Sequence, residues 1–227
     1  MNHRRIKGTI GYRGDADGER GREFFDITTH ADGSRTLRAT SEIDDAEILR
    51  DVVYSLDPDG RPVDCFVRLT VEGTFMGSGW FLFTDEAAEG EIFTADAGRL
   101  SQRVESDRRT PCFEAHPVIG DALSLGSFER VKRDGHQTHP DVLMSSPLAN
   151  GASGPMLSRL GLTAQYLGEE EITVPAGTFR TEHYAYVLPD DPDEHIWVVP
   201  GDFTLVRLRW DRLATTYELV DYHDSAA

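Results

Sequence analysis

The stretch DVVYSLDPDGRPVDCFVRLTV, Asp51 to Val71, decides the fold class. Two runs rich in Val, Leu and aromatic residues flank Asp57-Pro58-Asp59-Gly60. Proline presets φ for a turn, Asp bonds its own backbone, and Gly tolerates the conformation a tight connection needs. The second run alternates: Val63, Cys65, Val67, Leu69 and Val71 fall on one face, and Asp64, Phe66, Arg68, Thr70 and Glu72 on the other. A period of two belongs to a strand, so the stretch reads as a β-hairpin.

The same punctuation recurs outward in both directions. HADGSR, VEGTFMGSG, EAAEGE, VPAGTF, PDDPDE and VPGDF carry Gly, Pro or Asp at short spacing. About a dozen β-like runs lie between them, which predicts an all-β fold: one antiparallel, strongly curved barrel of about ten strands. SEIDDAEILRDVV partly follows helical spacing through Ile43, Ala46 and Ile48, but its second half belongs to the hairpin. Helical patterning is limited to 116–129 and 152–160, inside a segment, 111–161, that reads as a lid over one mouth of the barrel. No linker or repeat divides residues 1–227, so a single domain is expected.

The charge balance excludes some partners. Lys plus Arg is 23 and Asp plus Glu is 40, a formal charge of −17. Such a chain repels phosphate backbones and anionic lipid, so neither nucleic acid nor membrane is expected as a partner, while a homo-oligomer stays open. No run reaches the length of a membrane span. Cys65 and Cys112 are too few for a disulfide framework or a zinc site of their own. The opening MNHRRIKGTIGYRG lacks the apolar stretch of a signal peptide, and a reduced, cytoplasmic protein is the expectation.

The chemistry-bearing candidates begin in GHQTHPDVLMSSPLANGASGPM, Gly135 to Met156, where the alternation stops and an irregular segment is expected. His136 and His139 have a spacing that suits a metal only on a helix or tight turn, with a third ligand from His116, Asp121 or Asp141. Gly135 and Pro140 argue against the helix, so no metal is expected. Acid–base work is the other reading: His titrates near neutrality, and a His beside a carboxylate moves protons. His116, Asp121, His136 and His139 are the candidates there, with Ser145 and Ser146 nearby; the bland alternative is that His116-Pro117 and His139-Pro140 only fix extended backbone. His183 is a fifth candidate, on a strand next to one carrying His195 and Trp197; adjacent Tyr184 would then face the other way.

Ligand contacts are expected from Tyr54, Trp80, Tyr184, Trp197, Arg207, Arg209 and Tyr217, with Tyr166 as a further phenol. Arg207 and Arg209 alternate with Val206, Leu208 and Trp210 and share a phase with Phe203 and Leu205; if that face points inward, Glu182, Glu218 or an anionic or phenolic ligand must partner them. No G-x-S-x-G elbow, P-loop or dinucleotide fingerprint occurs, so no organic cofactor is expected. DADGE at 15–19 and DPDG at 57–60 lack the full calcium-loop pattern and read as turns.

The C-terminal third resembles a diffuse, largely uncharacterised group of bacterial β-barrel proteins. The matching pieces are the V-P-A-G-T-F turn at Val174–Phe179, His183-Tyr184, Trp197–Asp202 and the closing Tyr217–Leu219, with RDVVYSLDPDGRPVDCFV similar as well. That group resembles lipocalin-like and lipoprotein-carrier-like barrels, which implies a cavity for a hydrophobic ligand. Two functions follow. One is a cofactor-independent lyase, isomerase or hydratase using His and carboxylate acid–base chemistry on an aromatic or polycyclic small molecule, as in the breakdown of lignin-type aromatics or steroids. The other is a non-catalytic carrier or sensor of a lipophilic ligand. An enzyme needs ionisable groups poised inside the barrel; a carrier needs an apolar bore. Carriers of this resemblance tend to be exported, so the missing export signal tips the expectation toward the enzyme.

Overall fold

The computed structural model describes residues 3–16, 18–130 and 135–226; Asp17 of the DADGE turn lies outside them. The first half is an uninterrupted meander: β1 (Arg4–Gly14), β2 (Gly18–Thr29), β3 (Arg35–Ile43), β4 (Ile48–Leu56), β5 (Pro62–Val71), β6 (Thr74–Phe83), β7 (Ala87–Thr94) and β8 (Gly98–Glu105). The second half carries β9 (Phe113–Glu114), the helix α1 (Val118–Ser124), β10 (Gln137–Met144), β11 (Ser158–Val174), β12 (Gly177–Tyr186), β13 (Glu194–Val198), β14 (Leu205–Trp210) and β15 (Thr215–Asp224). Pairing β1 with β15 joins the halves into one curved 15-stranded sheet, antiparallel everywhere except at the short β9–β10 contact.

The hairpin that opens the analysis is β4–β5. Asp57 Oδ1 accepts from the amides of Asp59 and Arg61, both at 2.9 Å, which closes the turn. Cys65, Val67 and Leu69 point into the core, while Phe66 and Arg68 are exposed, as the alternation requires. The inner face of the meander packs around Phe113, whose ring centroid lies 4.9 Å from that of Phe83 and 5.2 Å from that of Phe81. Cys65 and Cys112 are both free and buried. No helix among the described residues is long and apolar enough to cross a membrane.

Three expectations change in detail. The sheet has fifteen strands rather than about ten, partly because Gln137–Met144 is a strand and not an irregular loop. Its register shifts between His139 and Val142, which lets Pro140 sit in a ladder without a missing donor breaking it. Residues 152–160 are not helical. Gly154 and Pro155 pass over β6, where Pro155 lies close above Gly77 and Gly79, and β11 starts at Ser158. Side chains at those two glycines would collide with the proline.

The 111–161 segment also does more than cover a mouth. Val118, Ile119, Gly120, Ala122, Leu123 and Ser124 of α1 are all buried, so the helix is an internal plug. One carboxylate fixes it. Glu23, on the inner face of β2 and 0% exposed, accepts from the amides of Val118 and Ile119 at 3.0 Å each. Tyr12 Oη and Ser41 Oγ donate to the same group at 2.8 and 2.9 Å. On the opposite side, Tyr186 Oη donates to the Asp121 carbonyl at 2.7 Å.

Glu23→Ala strands four donors in the core, each a desolvated group without an acceptor. We expect a loss of about 3 kcal/mol in urea unfolding. Amide exchange should rise first at Val118 and Ile119. Unchanged protection at those two amides would show that Glu23 does not hold the plug.

Candidate functional site

The plug does not fill the barrel. Beside α1 lies a cavity of about 230 Å³, bounded by β1, β4, β13, β14, β15 and the segment after β10. Its wall is half apolar, from Ile43, Val118, Leu208, Leu213 and Trp210. Its ionisable and phenolic residues are Tyr12, Arg20, Asp45, Arg50, His116, Asp121, Glu194 and Tyr217.

The polar groups on strands reach the cavity through strand phase, whereas His116 comes from the loop before α1 and Asp121 from α1 itself. Ile48, Arg50, Val52, Tyr54 and Leu56 alternate on the inner face of β4, so Arg50 is carried inward and is 2% exposed. It donates to the His116 carbonyl at 3.1 Å and to the Asn150 carbonyl. Gly151 makes this approach possible: it has φ of 67°, and a Cβ there would strike both the Arg50 guanidinium and the His116 ring. His116 itself has φ of 71°. A left-handed backbone at a non-glycine residue costs free energy and is held only where its surroundings demand it.

Burial shifts the titratable groups in opposite directions. His116 is pushed down to about 3 by burial and by the nearby Arg50 cation, so its imidazole is neutral. Its Nε2 lies 3.0 Å from the Ser146 carbonyl. A carbonyl only accepts, so Nε2 carries the proton and Nδ1 is the ring's acceptor. Glu194 is pushed up to about 8 by burial and then by Glu114. Asp121 is held well above the carboxylate range by burial, Glu114 and Glu194. Burial also raises Glu114, which touches the same cluster from β9. Arg20 differs: it sits at the mouth, bridged to Asp45 at 2.5 Å and donating to Thr215 Oγ1 at 2.6 Å.

Three sequence-expected residues therefore share the cavity: His116, Asp121 and Tyr217. The others lie elsewhere. His136 is exposed, and His139 packs on the Phe128 ring with Nε2 3.1 Å from the Ser127 carbonyl. No group of three or more His, Cys, Asp or Glu among the described residues is placed to hold a metal ion. Tyr54 is a core residue beside Phe113, and Tyr184 donates to Glu182 at 3.0 Å in the interior. Trp80 is 43% exposed on the outer face.

His183 and Trp197 are also outside the barrel. Their rings stack at 4.1 Å, His183 Nε2 lies 2.9 Å from His195 Nδ1, and Glu170 faces both His183 and the Trp197 indole N–H. Arg207 pairs with Glu218 at 2.7 Å, and Arg209 with Asp15 and Asp211 at 2.6 Å each. The physical reason is a bulge. Trp197 pairs with Arg207 but Val198 pairs with Leu205, so Leu205 and Val206 are both buried and the arginines leave the phase of Leu205.

Glu23, Arg50 and Glu194 were the residues the sequence reading passed over. Their signal was present: each is a charged residue in phase with an apolar face, as in Gly21, Glu23, Phe25 and Ile27.

Comparison with known proteins bears on the fold. No protein-family model matches the sequence. No curated protein matches it. Among solved structures, the chain is similar to a β-barrel-like protein of the domain of unknown function DUF1849 from Brucella abortus, with a TM-score of 0.55 and 12% identity over 98% of this chain and 97% of that one. A DUF1089 family protein from Pseudomonas aeruginosa aligns with a TM-score of 0.47 and 10% identity over 84% and 89% of the two chains. The first likeness shows the class of fold, β-barrel-like.

A carboxyl raised by folding binds a proton more tightly in the native state. The stability contributed by Glu194 is therefore complete below its unfolded value near 4.5 and is lost as pH rises through about 8. Glu194→Gln keeps a neutral side chain throughout. Its stability should fall less than that of the natural protein between pH 5 and 9, by roughly 1–3 kcal/mol in denaturant titrations. Parallel curves would mean that Glu194 ionises normally.

Proposed function

We propose that the protein is a cofactor-independent acid–base enzyme of the lyase, isomerase or hydratase kind, acting on a small hydrophobic molecule held in the cavity. The observation that carries this reading is the Glu194 carboxyl, kept protonated up to about 8 in the wall of an otherwise half-apolar cavity. A carrier of lipophilic ligands gains nothing from ionisable groups in its bore, whereas an acid catalyst works best with a value near the operating pH. Glu194 supplies the proton. His116 Nδ1 and the Asp121 carboxyl offer further hydrogen-bonding positions, and Tyr12 and Tyr217 offer phenols.

The size of the cavity narrows the substrate. A cavity of ~150 Å³ holds benzene. The space here, about 230 Å³, suits a single ring with small substituents.

The test is incubation of the purified protein, without added cofactor, with a pooled panel of single-ring compounds, read by liquid chromatography and mass spectrometry. A substrate should disappear with a defined mass change. Glu194→Gln should lower kcat roughly 100-fold or more. The acid form is the active one, so kcat/KM should fall as pH rises above about 8. His116→Gln should also lower the rate, whereas His136→Ala, His139→Ala and His183→Ala should keep it, since none of the three lines the cavity. A compound retained unchanged would instead support the carrier reading.

A further inference from the structure

The most unusual charge in the molecule is Arg50. It is fully buried, lines the cavity, and among the described residues forms no ion pair. The two groups it does contact are neutral backbone carbonyls, from His116 and Asn150. Those occupy two of the five N–H donors of a guanidinium. Two acids act on its charge, Glu23 and Asp121, without forming an ion pair with it, and Glu23 already accepts from Tyr12, Ser41, Val118 and Ile119. Arg20, by contrast, has Asp45. A buried cation without an anion is costly, and proteins normally supply the partner.

We propose that the partner is the ligand: the cavity binds a single-ring organic carboxylate, whose carboxylate pairs with the Arg50 guanidinium while its ring packs on Val118, Leu208 and Trp210. This deepens the reading of the cavity as a substrate site and rests on it. The other acids of the wall fit the assignment. Burial lifts Asp121 well above the carboxylate range and Glu194 to about 8, which favours their uncharged forms beside an anion, and the third acid of the wall, Asp45, is paired with Arg20. Arg is also the side chain whose planar fork matches a carboxylate. The backbone prepares the site in advance. The left-handed His116 presents its own carbonyl to the guanidinium, the carbonyl of Asn150 is presented just before the left-handed Gly151, and together they fix its plane.

The experiment measures binding of benzoate, 4-hydroxybenzoate and phenylacetate against benzamide and methyl benzoate, with inorganic phosphate as a separate arm. Calorimetry and thermal shift at pH 7 are the readouts. The acids should bind at least about tenfold more tightly than the isosteric amide and ester. Arg50→Gln should remove that preference. Because Arg50→Gln can weaken folding, the comparison of acid with amide on the natural protein stands by itself as a test. Equal binding of acid and amide, binding of phosphate alone, or no binding of any carboxylate at millimolar concentration would overturn the assignment. Carboxylates that bind without being turned over would sink the enzyme reading and leave this one standing. Turnover of neutral rings with no preference for acids would do the reverse.

Discussion

The structure depends on where the Glu23 carboxylate goes. A short helix inside a barrel has amide groups at its start with no partner of their own, and water cannot reach them there. Glu23 meets two of these amides from the inner face of β2, and Tyr12 and Ser41 complete its shell from the strands on either side. One side chain thus binds three neighbouring strands of the meander to the plug. Remove it and the plug has no fixed depth. The cavity beside α1 exists because the plug stops where Glu23 holds it.

The same burial that makes Glu23 structural makes its neighbours chemical. Desolvation opposes charge, so it lifts Asp121, Glu114 and Glu194 and lowers His116. The result is a set of neutral proton donors and acceptors around one buried cation. The loop between β10 and β11 contributes as well. Ser146 fixes the His116 tautomer through its carbonyl, and its hydroxyl lies 2.6 Å from that of Ser153, which ties the loop into place. The outer face of the barrel behaves differently. Several of its arginines, among them Arg180 with Glu169 and Arg209 with Asp15, are matched by acids at the surface, where such pairs contribute little to stability.

The fold was legible because period-two patterning and turn chemistry are local. The β4–β5 hairpin, the alternation of β5 and the antiparallel class all follow from residues within ten positions of one another. The Gln137–Met144 segment misled because its proline and histidines look irregular, while a shifted register absorbs Pro140 within a strand. The site was half legible. His116, Asp121 and Tyr217 stood out by residue type. Glu23 and Arg50 did not, although each breaks an apolar face in phase.

By itself, then, the sequence determined the strands, their turns, the acidic surface and the chemistry available in the segment around His116. Side-chain type and spacing carry that information directly. Only the tertiary structure decided which of these residues meet. A single bulge between β13 and β14 sends Arg207 and Arg209 outward, and strand order brings Arg50, Asp121 and Glu194 to one cavity from β4, α1 and β13. Register and closure are long-range properties, and a shift of one residue reverses every side chain that follows it.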